Sequence, residues 1–204
     1  MDIHHLPVTT VILAGGLGSR IGGNKALQVL HDKPLISWVL GAVSPDSDQV
    51  LINANDATDV YTQFGYRIIP DQTAGWPGPL AGLQAALDCA ETTYVMTVPC
   101  DTPFLPDGLI PRLLKALTED RTEAAVAVAG GYRQPTIALY NKQVAHKLRA
   151  YLDSGGRKVN DWLDTLQLSE VVFDKISAFD NINTREDLEK AGQQNLQSRI
   201  DKAN

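Results

Sequence analysis

A run of β-branched and aliphatic residues, Val8-Thr9-Thr10-Val11-Ile12-Leu13, empties without a break into a loop that carries five glycines, Arg20 and Lys25. That junction constrains the chain more than any other stretch. The run reads as a buried strand. Glycine lets backbone N–H groups approach a ligand closely and adopt positive φ, and successive exposed N–H groups form a concave anion site. Arg20 and Lys25 add two full positive charges to that cradle.

A strand feeding a glycine-rich basic loop suits a nucleoside triphosphate, although an ordinary turn would also use these glycines. Two well-known phosphate motifs are excluded. Lys25 is followed by Ala26, so the Gly-Lys-Ser/Thr ending of a P-loop is missing. Gly16-Leu17-Gly18 supplies two glycines of a dinucleotide fingerprint, but Ile21 stands where the third would be.

The formal net charge of −6 removes a global basic footprint for nucleic acid, so an anionic ligand depends on local charge such as this loop provides. With 204 residues, 44% of them hydrophobic, the chain is expected to form one domain over 1–204, with a core over about 8–190 and a polar tail over 193–204. Cys89 and Cys100 are not in CxxC spacing, which fits a reducing compartment. The first residues lack the basic start and apolar core of a signal peptide. The apolar stretch Leu35 to Val43 is broken by Ser37 and Gly41 and is too short to span a bilayer. A cytoplasmic protein without membrane contact is the expectation.

Along the chain, strand-like and helix-like segments alternate, which implies a three-layer α/β/α arrangement on a mostly parallel twisted sheet. After the loop, Ala26 to Leu30 reads as extended, with a turn at His31-Asp32. Helical spacing follows over Leu35 to Val43, Leu80 to Ala90, Leu109 to Leu117, Val144 to Leu152 and Val159 to Leu166. Strands are expected at Gln49 to Ala54, Arg67 to Ile69, Thr93 to Val98, Ala124 to Ala129 and Glu170 to Phe173. Polar residues just past buried strands are where such sheets bind ligands. Asn53 holds such a position, and is equally read as a turn residue. Asp101 holds another, between Pro99 and Pro103. It can hold a divalent metal, since Mg2+ needs only one or two carboxylates when phosphates supply further oxygens. The competing role, a helix cap, falls to Asp107 instead. Gly82 lets backbone approach a base or ribose, or else serves a tight helix–sheet contact. Gly155-Gly156-Arg157-Lys158 is a second basic glycine element, open to an anion or to a plain helix start. Thr184 and Asp187 read as a capping box, and Asn181 and Asn183 face the same way if extended.

Leu13-Ala14-Gly15-Gly16 followed by Arg20-x-Gly22-x-x-Lys25 resembles the signature of nucleotidyltransferases with the nucleotide-diphospho-sugar transferase fold. Asn53-Ala54-Asn55, Gly78-Pro79-Leu80-Ala81-Gly82, Pro99-Cys100-Asp101-Thr102-Pro103, Pro135-Thr136 and Asn181-Ile182-Asn183-Thr184 narrow the resemblance to the molybdenum cofactor guanylyltransferases. It runs from about Val8 to Lys190. The resemblance implies transfer of GMP from GTP to molybdenum-bound molybdopterin, giving the guanine dinucleotide and pyrophosphate. It implies that Leu13, Ala14 and Gly15 contact guanine and ribose, that Lys25 holds phosphates, that Asn53 and Asp71 contact the nucleotide, and that Asp101 binds Mg2+. Pro79, Leu80 and Gly82 would form the guanine and ribose loop. Arg20 would act with Lys25 and Asp101, and Arg20, Gly155, Arg157, Asn181 and Asn183 would lie on the pterin side or support the metal. Transient contacts with cofactor-delivering proteins or molybdoenzyme chaperones would also follow.

Elementary chemistry is compatible with that reaction. A phosphate monoester nucleophile, with second pKa near 6, is largely ionised at neutral pH and requires no protein base. His4, His5, His31 and His146 indeed lie outside the motifs. Charge neutralisation and alignment at the α-phosphate remain to be supplied. Ala14-Gly15-Gly16, where cytidylyl relatives commonly read Ala-Ala-Gly, favours GTP over CTP. A CTP-dependent molybdopterin cytidylyltransferase, another nucleotidyltransferase of this fold, and a non-catalytic nucleotide-binding module are the competing readings.

Overall fold

The computed structural model describes residues 6–15, 24–56, 58–72 and 78–193. Arg20 and Trp76 therefore lie outside the described residues. The elements in chain order are β1 (Val8–Leu13), β2 (Val29–Leu30), β3 (Lys33–Pro34), α1 (Leu35–Val43), β4 (Gln49–Asn53), α2 (Thr58–Tyr61), β5 (Arg67–Ile69), α3 (Pro79–Cys89), β6 (Tyr94–Pro99), α4 (Leu109–Glu119), β7 (Ala124–Ala129), β8 (Tyr132–Asn141), α5 (Ala145–Asp153), α6 (Val159–Leu163) and β9 (Leu168–Phe173). Residues 185–193 form a further helix, α7.

Seven strands form one sheet in the order β5-β4-β1-β6-β8-β7-β9, and β2 and β3 make a separate hairpin. The pairs β5–β4, β4–β1, β1–β6 and β7–β9 are parallel, while β8 runs antiparallel to both β6 and β7. The expected mostly parallel α/β sheet is therefore present. Its central strands carry apolar residues in succession because both faces are covered. Val11, Leu51, Val95 and Val126 point to one face, where Leu83, Leu87, Leu148 and Trp162 of α3, α5 and α6 pack. Their neighbours Ile12, Ile52, Met96 and Ala125 point to the other, against Ile36 and Val39 of α1 and Leu113 and Leu117 of α4. A third cluster joins Leu30 and Leu35 to Ile182 and Ala191, which anchors α7 to the first half of the chain.

Local chemistry moves some boundaries. Lys25–Leu27 is a 3-10 turn rather than extended, because the Asn24 side chain accepts from the Ala26 N–H at 3.2 Å. Only Val29–Leu30 of that expected stretch is a strand, and it turns back at His31 and Asp32, both at positive φ. The cap expected at Asp107 is not made. Gly108 takes the N-cap position of α4 at φ +69°, a left-handed conformation that suits glycine, with no side-chain cap bond. The helix expected over Val159 to Leu166 stops at Leu163. Among the described residues no helix is long and apolar enough to cross a membrane.

Candidate active site

Register places four strand ends side by side. Leu13 of β1 pairs with Asn53 of β4 and with Pro99 of β6, and Asn53 pairs with Ile69 of β5. The ladder runs one residue further: the N–H groups of Ala14, Ala54 and Cys100 donate to the carbonyls of Asn53, Ile69 and Leu13 at 2.8, 3.1 and 3.2 Å. The next residues, Gly15, Asn55, Asp71 and Asp101, thus emerge along one rim. They line a cleft of about 430 Å3 with Leu13, Lys25, Asn53, Gly78, Pro79, Pro99, Cys100 and Thr136.

One wall of the cleft is built around Asp101, which is 7% exposed. Lys25 Nζ donates to its Oδ2 and also to Asn183 Oδ1. Among the described residues, Asp101 Oδ1 is buried without a hydrogen-bond partner. Several contacts place this group. The Asp101 carbonyl accepts from the Ile182 N–H at 2.9 Å, and the Thr102 hydroxyl donates to Asn181 Oδ1 at 2.7 Å. Asn183 is held in turn by the capping box expected at the start of α7. Asp187 Oδ2 accepts from the N–H groups of Asn183 and Thr184 at 3.0 and 2.9 Å, and the Asp187 N–H donates to Thr184 Oγ1 at 3.1 Å.

Beneath this wall lie two buried acids. The Tyr61 hydroxyl donates to Asn24 Oδ1 at 2.7 Å, bracing the turn that presents Lys25. Burial pushes the Tyr61 phenol up to about 12 despite that bond. Burial, then the Asp101 carboxylate, pushes the Cys100 thiol up to about 12, with Lys25 opposing. Nucleophilic sulfur requires the thiolate, so Cys100 is a neutral neighbour of the site.

The opposite wall centres on Asp71. Asn53 Nδ2 donates to Asp71 Oδ1 at 2.9 Å and to the Ile69 carbonyl at 3.2 Å. Asn55 Nδ2 donates to Asp71 Oδ2 at 2.8 Å, and the Asp71 N–H donates back to Asn55 Oδ1 at 2.8 Å. Gly82 permits this arrangement. A Cβ there would sit 2.3 Å from Asn53 Oδ1 and 2.6 Å from Leu13 Cδ2. Gly82 thus serves a tight helix–sheet contact, and Leu80 beside it is 3% exposed in the core. Of the expected base and ribose loop, Pro79 lines the cleft.

The structure thus brings together Leu13, Gly15, Lys25, Asn53, Asp71, Pro79 and Asp101, with Ala14 buried behind Gly15. Asn181 and Asn183 line a second pocket of about 310 Å3 with Asp180, Asp187 and Lys190. Arg157 lines neither pocket. Its Nη1 donates to the Leu152 and Gly156 carbonyls at 2.8 and 2.5 Å, closing the loop after α5. Gly156 lies against the Tyr151 ring, where a Cβ would be 2.4 Å from the ring carbons. Asn24, Asn55, Tyr61 and Thr136 escape the reading from sequence as site residues. Asn55 and Thr136 carried a signal, within the Asn53-Ala54-Asn55 and Pro135-Thr136 runs, but neither was assigned a role.

The arrangement suits a polyphosphate and one hard cation. Among the described residues no group of three or more His, Cys, Asp or Glu side chains could hold a metal. The unpartnered Asp101 Oδ1 fits a cation whose remaining ligands are phosphate and water oxygens, as Mg2+ favours.

The family model described as MobA-like NTP transferase domain matches residues 10–170. A molybdenum cofactor guanylyltransferase of Cupriavidus pinatubonensis is 40% identical over 187 residues, covering 89% of this chain and 94% of that protein. One from Shewanella halifaxensis is 38% identical over 188 residues, covering 91% and 94%. The crystal structure of molybdopterin-guanine dinucleotide biosynthesis protein A from Archaeoglobus fulgidus aligns at a TM-score of 0.79 with 28% identity, over 93% of this chain and 99% of that one. A nucleotidyl transferase from Methanothermobacter thermautotroptrophicus, 18% identical, shares the fold at a TM-score of 0.74 over 94% of this chain and 99% of that one.

Proposed function

The chain belongs to the MobA-like NTP transferases, and from that premise we propose that it transfers GMP from GTP to molybdenum-bound molybdopterin in the cytoplasm. The half-paired Asp101 carboxylate, buried at the end of β6 beside Lys25, carries this reading.

In this reaction the terminal phosphate of the pterin attacks the α-phosphorus of GTP. A new P–O bond forms as the bond to the β-phosphate bridging oxygen breaks, and pyrophosphate leaves. The attacking oxygen is already ionised near neutral pH, so the site supplies no base. Lys25 exchanges its Asn183 contact for phosphate oxygens and neutralises charge there. The backbone of Leu13, Ala14 and Gly15 lies under the nucleoside, and Asn53 and Asp71 hold it from the opposite wall. Arg20 adds a second positive charge, and Asn181 and Asn183 serve the pterin side. Asp101 would hold Mg2+, which when bound supplies further charge neutralisation on the phosphates. Cofactor-delivering proteins would meet the enzyme transiently.

Pyrophosphate release from GTP, in the presence of Mg2+ and a molybdopterin source, tests the proposal. Nucleotide binding without release would instead indicate a non-catalytic module. Tighter binding of CTP than GTP in competition would reassign the chain to the cytidylyl reaction.

A further inference from the structure

The proposed reaction leaves Asn55 without a role, yet it makes two of the hydrogen bonds that fix Asp71. One runs from its Nδ2 to Asp71 Oδ2 and the other from the Asp71 N–H to its Oδ1, both at 2.8 Å. Asn53 holds the other carboxylate oxygen at 2.9 Å. Each Asp71 oxygen therefore bonds one asparagine amide, and among the described residues no Lys, Arg or His pairs with it. An ionised carboxylate offers about four acceptor sites, so a clamped Asp71 keeps acceptor capacity on both oxygens while its orientation is set. A Cβ at Gly15 would stand 3.7 Å from Asn55 Nδ2, which puts this clamp directly against the glycine-rich loop.

We propose that Asn55 is a positioning residue that holds the Asp71 carboxylate to read the base of the nucleotide, resting on the assignment of this cleft to GTP. Guanine presents two adjacent donors, N1–H and the N2 amine, to a two-oxygen acceptor. Cytosine presents acceptors at N3 and O2 beside its one amine, so the same carboxylate repels it. A lysine in place of the asparagines would neutralise the carboxylate and occupy its oxygens. Two neutral amides orient it and leave its charge in the cleft. The ribose diol is the other pair of adjacent donors on the nucleotide, and the test separates it from the base.

Dissociation constants are measured by competition for GTP, ITP, 2′-deoxy-GTP and CTP, on the wild-type chain and on Asn55→Ala and Asn55→Asp, with thermal melting as the check on folding. ITP lacks the N2 amine and keeps N1–H. Wild type is expected to prefer GTP over ITP about tenfold, a usual worth for one charge-assisted hydrogen bond. Asn55→Ala is expected to shrink that ratio to about threefold or less. Asn55→Asp, which sets a second negative charge beside Asp71, is expected to weaken GTP further than Asn55→Ala does. Three results overturn the inference while leaving the functional reading intact: equal losses for GTP and ITP, no loss for either, or a loss tracking the 2′-hydroxyl. Failure of the folded wild-type chain to bind GTP defeats the functional reading, and the inference with it.

Discussion

The two walls of the cleft each present one aspartate, and they treat it in opposite ways. Asp71 is held by two neutral amides, one on each oxygen, and keeps its charge toward the cleft. Asp101 is paired with a lysine on one oxygen and left bare and buried on the other. A carboxylate oriented by amides discriminates between ligands by the donors they bring. A carboxylate paired with a cation through one oxygen and buried without a partner at the other is costly until something positive completes it. The first arrangement suits recognition and the second suits charge handling at a breaking phosphate bond. The same residue type thus performs two tasks because its neighbours differ.

The largest effect should come from breaking the charged wall. Asp101→Ala and Lys25→Ala are each expected to lower turnover by about 100-fold or more, with the melting temperature close to that of wild type. Near-wild-type turnover in either variant would remove that residue from the mechanism.

The charged wall also rests on buried acids, so alkaline pH should undermine it. Cys100 and Tyr61 are both pushed up to about 12 in the folded chain, whereas free thiols and phenols ionise at about 8.5 and about 10. A folded pKa above the unfolded one gives stability that is whole below the unfolded value and is lost as pH rises through the folded one. Burial raises Tyr140 in the same direction. Melting temperature should hold to about pH 8.5 and then fall as pH rises through about 12. Cys100→Ala should flatten the early part of that fall, and a flat profile in wild type would contradict it.

The amide-held wall is open to a steric test. Gly82→Ala sets a Cβ 2.3 Å from Asn53 Oδ1. Overpacking of this kind costs about 1–3 kcal/mol. Denaturant unfolding should report that loss, and GTP binding should weaken because Asn53 is driven off Asp71. A variant with unchanged stability would mean that α3 moves away freely.

The smallest effect should come from the far support of the charged wall. Thr184→Ala removes the side-chain cap of α7, worth about 1 kcal/mol, and loosens the turn that presents Asn183 to Lys25. Helix fraying by amide exchange and a several-fold loss of turnover should appear together. Fraying with no loss of turnover would separate Asn183 from the reaction.

Much of this was readable in the chain. The alternation of buried strands and amphipathic helices specified the α/β architecture, since the central strands carry apolar residues on both faces, as at Val11 and Ile12. Asp101 could be singled out because Pro103 and Pro106 delay the next helix beyond its reach as a cap. The capping box at Thr184 and Asp187 is local and was legible for that reason. The tasks of Asn55 and Tyr61 were not readable, although Asn55 stood in a motif. Their importance lies in partners 16 and 37 positions away, and spacing along one strand or helix says nothing of such pairs. Gly82 left two roles open in the sequence, and its distance to Asn53 decides for packing.

By itself the sequence determined which residues could carry charge to a phosphate, and that they would emerge at the carboxyl ends of strands. Local pattern suffices for this, because hydrophobic periodicity sets strand ends and glycine and proline set the turns that follow. Only the tertiary structure decided which aspartate is paired with which neighbour. Parallel register aligned Leu13, Asn53, Ile69 and Pro99 on one rim, and the docking of α7 brought Asn183 onto Lys25. The chemical character of each carboxylate follows from those long-range contacts, since its charge and free valence are set by whatever surrounds it in space.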